Sequence, residues 1–371
     1  MEPLLPSPLA LEGWHEFNRI KWGIRPHRLV LGQSEGDGAK LDAVLYLNRR
    51  GRIYQPHHNP YLPVSFRPSP TSFPSRSERR WLTLAEQLAD EMRARGMANA
   101  VDLPVGITDG RPWRWAGFSV GAKYTYVVDL PYSPERMEKN CRALLRRAER
   151  AGYRCERTDR LADAHVCLVE TAARKGFRFD LTLRDLETAR ELLGDEHLRI
   201  YVCYGPDATP AAANFVLHRP GGMAVGWLGG VTSAHLSTGA FQLLEVFSMD
   251  DLASAGATCY DLAGANIPGV ALAKAQFGGR LTPYYFVSPV GLKPLAIWIL
   301  EWLRPARGRA RRSRSCAAAG MRQGDAMVCE CSRGPLGAPA HEGAPGRSRR
   351  ERIEAVDEGG GLRWSGTSQI P

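Results

Sequence analysis

The order of apolar segments between residues 198 and 287 constrains the fold of this chain more than any other feature. Three short β-rich runs follow one another directly, at 198–204, 212–218 and 224–231. Helical and extended segments then alternate, with a helix over 240–255, a strand over 258–262, a short helix over 269–276 and a strand over 281–287. This mixture of consecutive and alternating elements predicts a mixed α/β fold.

The preceding part of the chain predicts a first α/β lobe over residues 1–125. Its β-rich runs lie at 27–32, 41–47 and 98–104 and within 52–61, and a helix over 77–95 carries apolar residues at helical spacing. A connecting helix is predicted within 126–152, from the N-cap Ser133 and the first-turn Pro134 to Gly152. One face of that helix is rich in arginine, which suits either solvent or contact with phosphates. The second lobe then spans 153–303.

The net charge of +10 is concentrated near the end of the chain. From Arg304 onwards the sequence holds 13 of the 49 Lys and Arg residues but only 7 of the 39 Asp and Glu residues. Only seven of these last 68 residues are Ile, Leu, Val, Phe or Trp, too few to bury a core. The stretch 304–371 is therefore predicted to be a disordered basic tail, and the overall charge is weak support for a folded RNA-binding surface.

Cysteine and histidine spacing predicts no metal site. The eight cysteines show no zinc-knuckle spacing, and the adjacent His57 and His58 would face opposite sides of a strand. The first residues lack the basic and apolar regions of a signal peptide, and the longest apolar run, 291–303, contains three interruptions by charge or proline. We therefore expect a cytoplasmic protein with reduced thiols.

A loop rich in hydroxyl groups is a candidate anion site. Thr232, Ser233, Ser237, Thr238 and Gly239 lie between the strand over 224–231 and the next helix. Free N–H groups and the helix dipole at such a position favour a pyrophosphate or the end of a tRNA. Ordinary helix capping by Ser237 or Thr238 explains the same residues without any ligand.

Lys274 is a candidate catalytic residue in the segment 261–279. A strand ends near Asp261, a loop containing Gly, Asn and Pro follows, and Lys274 lies on a short helix. A fixed ammonium beside a reacting carbonyl can stabilise the oxyanion of a tetrahedral intermediate. Considered alone, a single lysine on a helix is more commonly a surface residue.

Three blocks of this sequence form a recognisable pattern: YDLAGANIPGVALAKAQFGGRLTPYY at 260–285 with the preceding helix around Gln242, DGRPWRWAGFSVGAKYTYVVDL at 109–130, and TAARKGF at 171–177. They resemble Fem-type transferases, the peptidoglycan-bridge aminoacyltransferases and their relatives in the GNAT superfamily. Together they cover scattered parts of residues 25–290.

The resemblance implies a fold and an activity. The fold is two tandem GNAT-like lobes, each a mixed β-sheet flanked by helices, with an active cleft near their junction. The activity is transfer of an acyl or aminoacyl group from acyl-CoA or aminoacyl-tRNA to an amine or hydroxyl of a cell-envelope precursor or polysaccharide, with no tightly bound cofactor. Some tRNA-using members of the family carry a long arm of heptad repeats, which this chain lacks. Acyl-CoA is therefore slightly favoured over aminoacyl-tRNA as the donor.

The resemblance also implies roles for individual residues. Lys274 matches the lysine of a Phe–Lys pair in the family pattern, but Ala273 replaces the aromatic residue. The catalytic residues would be Lys274 and Asp261, and the acceptor-binding residues Asn59, Tyr61 and Arg174. The donor-binding residues would be Trp227, Thr232, Ser237, Thr238, Gly239, Gln242 and Asn266. Alternatives that need no ligand stay open for three of these residues. Trp227 also suits a hydrophobic core, Asp261 also suits a cap at the end of a strand, and Arg174 also suits a solvated surface.

A second hypothesis comes from a different class of protein. A catalytically silent GNAT-like protein would bind RNA or an anionic lipid headgroup through the arginine-rich helix and the tail. The stretch 292–314 contains Trp298 and Trp302 followed by arginines, which suits contact with a membrane surface.

Overall fold

An eight-stranded mixed β-sheet, covered by helices on both faces, dominates the computed structural model. The structure describes residues 3–4, 7–32 and 38–290. The expected disorder of 304–371 and the expected membrane contact of 292–314 therefore lie outside the described residues.

The helices of the described ranges, except the last, carry buried apolar residues that cover the sheets. In chain order they are α1 (Glu12–Trp22), α2 (Pro74–Arg95), α3 (Arg111–Trp115), α4 (Lys139–Arg150), α5 (Leu161–Lys175), α6 (Leu183–His197), α7 (Ala240–Ser254) and α8 (Pro268–Ala275).

The strands form two sheets. In chain order they are β1 (Arg25–Gly32), β2 (Lys40–Leu47), β3 (Val64–Arg67), β4 (Val101–Asp102), β5 (Phe118–Asp129), β6 (Arg154–Arg157), β7 (Leu198–Tyr204), β8 (Pro210–Leu217), β9 (Met223–Val231), β10 (Cys259–Asp261) and β11 (Arg280–Pro289). The first three make an antiparallel sheet, and the other eight lie in the order β4-β11-β5-β10-β9-β8-β7-β6. The mixed large sheet and the helices that flank it confirm the predicted α/β class.

Strand β7 shows how the large sheet is buried on both faces. Its side chains alternate between two cores, as the pleat of a strand requires. Ile200 and Val202 pack with α1, α5 and α6, whereas Tyr201 and Cys203 pack with α4 and α7. A third core joins the small sheet to α2, α3 and the β4–β11–β5 end of the large sheet.

The pairing of β9 with β10 is the single parallel contact among the described strands of the large sheet. Residues Met223–Val225 pair with Cys259–Asp261, and α7 makes the connection between the two strands. Beyond Asp261 the chain leaves the sheet, while β9 continues to Val231. Ligands of sheets with parallel strands bind beyond the carboxyl ends of those strands, so this edge is where we look for a site.

Trp227 lies at a bulge in β9 and belongs to a hydrophobic core. Opposite β8, the register shifts so that Phe215 faces Leu228 and Val216 faces Gly226. The Trp227 ring packs edge-on against Trp14, Phe17 and Phe215, and the residue is 9% exposed. Its indole N–H is buried without a hydrogen-bond partner among the described residues.

The predicted connecting helix begins later than expected. Ser133 caps a short 3-10 turn, Pro134–Arg136, and α4 starts only at Lys139. Between them Met137 is extended and buried, and the Glu138 N–H donates to the Gln276 carbonyl at 2.9 Å. This contact with the end of α8 takes the chain out of helical conformation, which local propensity does not reveal.

The predicted strand over 52–61 was wrong. Only Ile53 makes bridges there, to Leu47 and Met97, and the third strand of the small sheet is β3. Pro56 and Pro60 lack the N–H that a ladder needs. The boundaries 1–125, 126–152 and 153–303 stay predictions, although β5 runs across residue 125. No helix in the described ranges is long and apolar enough to cross a membrane.

Replacing Trp227 by alanine tests whether the residue is a core residue. We expect Trp227→Ala to lower the free energy of unfolding by about 3–5 kcal/mol, because it leaves a cavity between three aromatic rings. Chemical denaturation measures the change. Trp115→Ala is the matched control, since this tryptophan is 58% exposed. A loss in Trp227→Ala no larger than in the control would contradict a core role.

Candidate functional site

Asp261 lies at the carboxyl end of β10 and is fully buried, at 0% exposure. Its Oδ2 accepts a hydrogen bond from the Tyr61 hydroxyl at 2.6 Å, and its Oδ1 accepts one from the Thr125 hydroxyl at 2.5 Å. The Ala263 N–H donates to the same Oδ1 at 2.8 Å. The carboxyl group thus ties together three segments that are far apart in sequence.

Burial dominates the electrostatics of this carboxyl group. It raises the pKa of Asp261, against the hydrogen bonds from Thr125, Tyr61 and the Ala263 N–H and the charge of Lys274. The pKa of Tyr61 is held well above its usual value by the same burial and by the Asp261 charge. Asp261 and Tyr61 were predicted as separate catalytic and acceptor-binding residues, and the structure brings them into direct contact.

Lys274 points at the loop that follows β10. Its ammonium donates to the carbonyl oxygens of Leu262 at 2.5 Å and Gly264 at 3.0 Å, and also to that of Ala263. Ala263 and Gly264 both have positive φ angles, 52° and 69°, which lets consecutive carbonyls converge on one cation. A left-handed alanine is uncommon and marks this loop as conformationally constrained.

Glu245 is a buried acid on the other side of β10. It lies on α7, is 7% exposed, and its Oε2 accepts a hydrogen bond from the Asn214 amide at 3.4 Å. The same amide nitrogen donates to the Tyr260 hydroxyl at 3.1 Å. Because Tyr260 and Asp261 are adjacent in a strand, their side chains point to opposite faces, towards Glu245 and Tyr61 respectively.

The three ionisable groups Glu245, Lys274 and Asp261 influence one another. Burial raises the pKa of Glu245 to about 7, against the charge of Lys274 and a hydrogen bond from Tyr260. Burial lowers the pKa of Lys274, while the charges of Glu245 and Asp261 raise it. The charge of Lys274 therefore offsets part of the effect of burial on the pKa of each carboxyl group, and the two carboxylates offset part of the effect of burial on the pKa of Lys274.

Glu245, Asn214, Tyr260 and Thr125 were missed as site residues by sequence reasoning. Glu245 carried one usable signal, because it is a single acidic residue within the otherwise apolar run 243–247. Asn214 and Thr125 sit inside strands, where a single polar residue shows nothing about its partner.

The hydroxyl-rich loop is largely held by internal hydrogen bonds. Thr232 is buried and donates to the Ala211 carbonyl at 3.2 Å. Thr238 donates to the His235 carbonyl at 2.9 Å and accepts from the Ala240 N–H at 3.3 Å, both local contacts just before α7, whose N-cap is Gly239. Ser237 is exposed. Two of the predicted donor-binding hydroxyls thus have structural partners.

Gly239 and Arg174 fix this loop to neighbouring helices. Gly239 has φ 94°, and a Cβ at this position would lie 2.0 Å from the Leu144 carbonyl oxygen of α4. Arg174 donates to the Val231 carbonyl at 2.8 Å and to the Ser233 hydroxyl at 3.3 Å. The predicted acceptor-binding Arg174 therefore lies beside the predicted donor loop.

The remaining predicted residues lie in three different environments. Gln242 is half-buried on the first turn of α7, and the exposed Asn266 bridges β5 and β11 through the Tyr124 backbone and the Tyr284 hydroxyl. Asn59 is 7% exposed, and both polar atoms of its side-chain amide are buried without a partner among the described residues. Across 3–4, 7–32 and 38–290, no group of three His, Cys, Asp or Glu side chains could hold a metal.

Comparison with known proteins supports this architecture. Residues 135–268 match the family model described as an acetyltransferase (GNAT) domain, which confirms the expectation of an acyltransferase domain of the GNAT superfamily. The matched range includes Glu245 and Asp261. No protein with a curated record is significantly similar to the chain.

Solved structures resemble this chain at low sequence identity. FemX is 13% identical with a TM-score of 0.56, and the match covers 81% of this chain and 100% of FemX. L-PGS from Bacillus licheniformis is 14% identical with a TM-score of 0.47, covering 81% and 97%. A tandem GNAT protein from the clavulanic acid biosynthesis pathway is 12% identical with a TM-score of 0.40, covering 78% and 98%. The likeness to FemX shows a shared fold.

The pKa of Glu245 predicts how stability depends on pH. A carboxyl group whose pKa rises from 4.5 to about 7 on folding stabilises the protein fully below pH 4.5. This stabilisation disappears as the pH rises to about 7. Relative to Glu245→Gln, the wild type should lose about 3 kcal/mol of unfolding free energy across that window.

Chemical denaturation at several pH values measures the difference. Glu86→Gln, at an exposed position of α2, is the control and should parallel the wild type. If Glu245→Gln also runs parallel to the wild type between pH 4.5 and 7, the carboxyl group does not titrate in this window.

Proposed function

We propose that the protein transfers an acyl or aminoacyl group to an amine or hydroxyl of a cell-envelope precursor or polysaccharide. The donor would be a thioester or ester, namely acyl-CoA or aminoacyl-tRNA. The observation that carries the proposal is the convergence of Lys274, Glu245 and Asp261, from three elements, at the carboxyl end of the parallel β9–β10 pair.

Lys274 would stabilise the charge that develops on the reacting carbonyl. In the structure its three donors are taken by neutral backbone carbonyls. An oxyanion carries a full negative charge and binds an ammonium more strongly than a carbonyl dipole does, so it can replace one of these partners in the transition state. The preference for the transition state over the ground state is what accelerates the reaction.

Glu245 would manage the proton that the attacking group loses. A carboxyl group with a pKa of about 7 is close to the optimum for proton transfer at neutral pH. In its ionised form it also supports the charged state of Lys274. Attack by the acceptor on the donor carbonyl then needs no covalent intermediate on the protein.

The acceptor would bind next to the loop that carries Tyr61. Tyr61 is fixed by Asp261, and Asn59 offers an unpartnered amide two residues away. A cell-envelope acceptor is supported by the sequence resemblance to Fem-type transferases. With such an acceptor the protein would act in the cytoplasm, at the inner face of the membrane.

Replacing Lys274 tests the catalytic role. Lys274→Ala should lower kcat by about 100-fold or more, whereas Lys274→Arg, which keeps the charge, should retain more activity. The assay is transfer of a labelled acyl or aminoacyl group to a lipid-linked peptidoglycan precursor. Lys40→Ala, a surface lysine paired with Asp42, is the control.

The thermal unfolding temperature separates catalysis from folding in this test. Lys274 also holds the 262–264 loop, so its removal can lower stability as well as activity. If Lys274→Ala unfolds at a much lower temperature than the wild type, the activity of Lys274→Arg is the test of the catalytic role. Full activity in a folded Lys274→Ala protein would remove the transferase mechanism.

The two donors can be distinguished through α4. Arg146 and Arg147 are exposed on this helix and form no ion pair with the described residues. If the donor is aminoacyl-tRNA, it should protect the protein from thermal unfolding, and the double variant Arg146→Glu/Arg147→Glu should lose this protection. Protection by acyl-CoA, if that is the donor, should survive the same change.

Arg79→Glu is the matched control for these variants, because Arg79 is exposed on α2, on a different part of the surface. Raised salt should weaken protection by tRNA far more than protection by acyl-CoA. Absence of protection by either donor would contradict the proposal.

The unpaired arginines of α4 also favour a second candidate function. A protein without catalytic activity would bind RNA or an anionic lipid headgroup through this face, and Lys274 would serve only to fix its loop. Such a protein would keep its binding in Lys274→Ala and lose it in Arg146→Glu/Arg147→Glu.

A further inference from the structure

Two cysteines face each other at the edge of the large sheet. Cys155 on β6 lies directly opposite Cys203 on β7 in the antiparallel register, and both are free thiols. β6 is the last strand of the sheet on this side. None of the other described cysteines has a cysteine opposite it, since Cys141 and Cys167 are on helices and Cys259 faces Asp129 and Met223.

The hydrogen-bond pattern shows which kind of pair this is. The Thr158 N–H donates to the Ile200 carbonyl at 3.0 Å, and Arg157 lies opposite Tyr201. Thr158 and Ile200 therefore form a hydrogen-bonded pair, and such pairs alternate with non-hydrogen-bonded pairs along an antiparallel ladder. Cys155 and Cys203 lie three pairs along the ladder from Thr158 and Ile200, so the alternation makes them a non-hydrogen-bonded pair.

This geometry suits a disulfide bond. In non-hydrogen-bonded pairs the Cα atoms are about 4.5 Å apart and the side chains lie closest to each other. Disulfides bridge Cα separations of about 4.4–6.8 Å. Both side chains also project from the same face of the sheet, because directly opposed residues do so, and both pack in the core formed with α4 and α7.

The surroundings of the pair set the order in which the two thiols would react. Cys203 is fully buried, whereas Cys155 is partly exposed on the edge strand. The neighbouring Cys203 thiol and burial both raise the pKa of Cys155, so its reaction should be slow and should accelerate with rising pH.

We propose that Cys155 and Cys203 are a redox-modification site that forms a reversible cross-strand disulfide with a small-molecule disulfide as the oxidant. The Cys155 thiolate attacks the oxidant, forms a mixed disulfide and releases one small thiol. The Cys203 thiolate then attacks the Cys155 sulfur and releases the second small thiol. The two protons of the protein thiols end on the two released thiols, so the exchange balances.

The bond fastens the edge strand to the sheet. It closes a covalent loop from 155 to 203, which contains α5 and α6. Closing such a loop restricts the unfolded chain, so the oxidised protein is more stable than the reduced one. The modification is independent of the transfer reaction proposed above.

Treatment of the reduced full-length protein with oxidised glutathione at pH 8 tests this inference. Alkylation followed by peptide mapping should find the peptides containing Cys155 and Cys203 joined, with two hydrogen atoms fewer than the separate peptides. The Tm should rise by about 5 °C and return to its starting value with dithiothreitol. The cross-link and the Tm rise should vanish in Cys155→Ala and in Cys203→Ala but persist in Cys141→Ala.

Three results would overturn the inference. The first is that the Cys155 and Cys203 thiols both still react with the alkylating agent after a treatment that oxidises other cysteines. The second is glutathione on Cys155 that never proceeds to a cross-link. The third is a Tm rise in Cys155→Ala equal to that of the wild type, which would assign the effect to another pair.

Discussion

The parallel pairing of β9 and β10 is the constraint on which the site depends. Two neighbouring parallel strands need a crossover, and α7 supplies it, so one helix is fixed against the face that Tyr260 occupies. Glu245 reaches β10 from that helix. On leaving β10 the chain must also turn out of the sheet, and this turn presents three carbonyls to Lys274. One pairing thus brings an acid and a cation to the same strand end.

The site combines charges that burial disfavours individually. Asp261 and Glu245 are held at raised pKa values by burial, and Lys274 at a lowered one, and each is partly compensated by the others. The hydrogen bonds from Tyr61 and Thr125 to Asp261 make this carboxyl group an anchor between the small-sheet region and the large sheet. A group anchored in this way positions its neighbours more readily than it exchanges protons, which distinguishes Asp261 from Glu245.

Sequence patterns predicted most strands and helices from residue 198 onwards, because each one carries its own periodicity and its own stop. They failed where a tertiary contact decides the conformation, as at Met137, or where proline removes backbone donors, as over 52–61. The site was only partly predictable. Lys274 and Asp261 follow a recognisable pattern, whereas the contact of Tyr61 with Asp261 joins residues far apart in sequence, and no local spacing encodes it. In the polar loop before α7, Thr232 and Thr238 hydrogen-bond to the backbone, and the donor-binding role of this loop stays a prediction.

Strand β11 has a consequence for synthesis of the chain. It lies between β4 and β5, which both belong to the first 130 residues, and pairs with β5 along its whole length. Until residues 280–289 have left the ribosome, β5 lacks this neighbour and the core around Trp113 stays open on one side. Folding of the amino-terminal region must therefore wait for nearly the entire described chain, and a nascent protein exposes apolar strands for most of its translation.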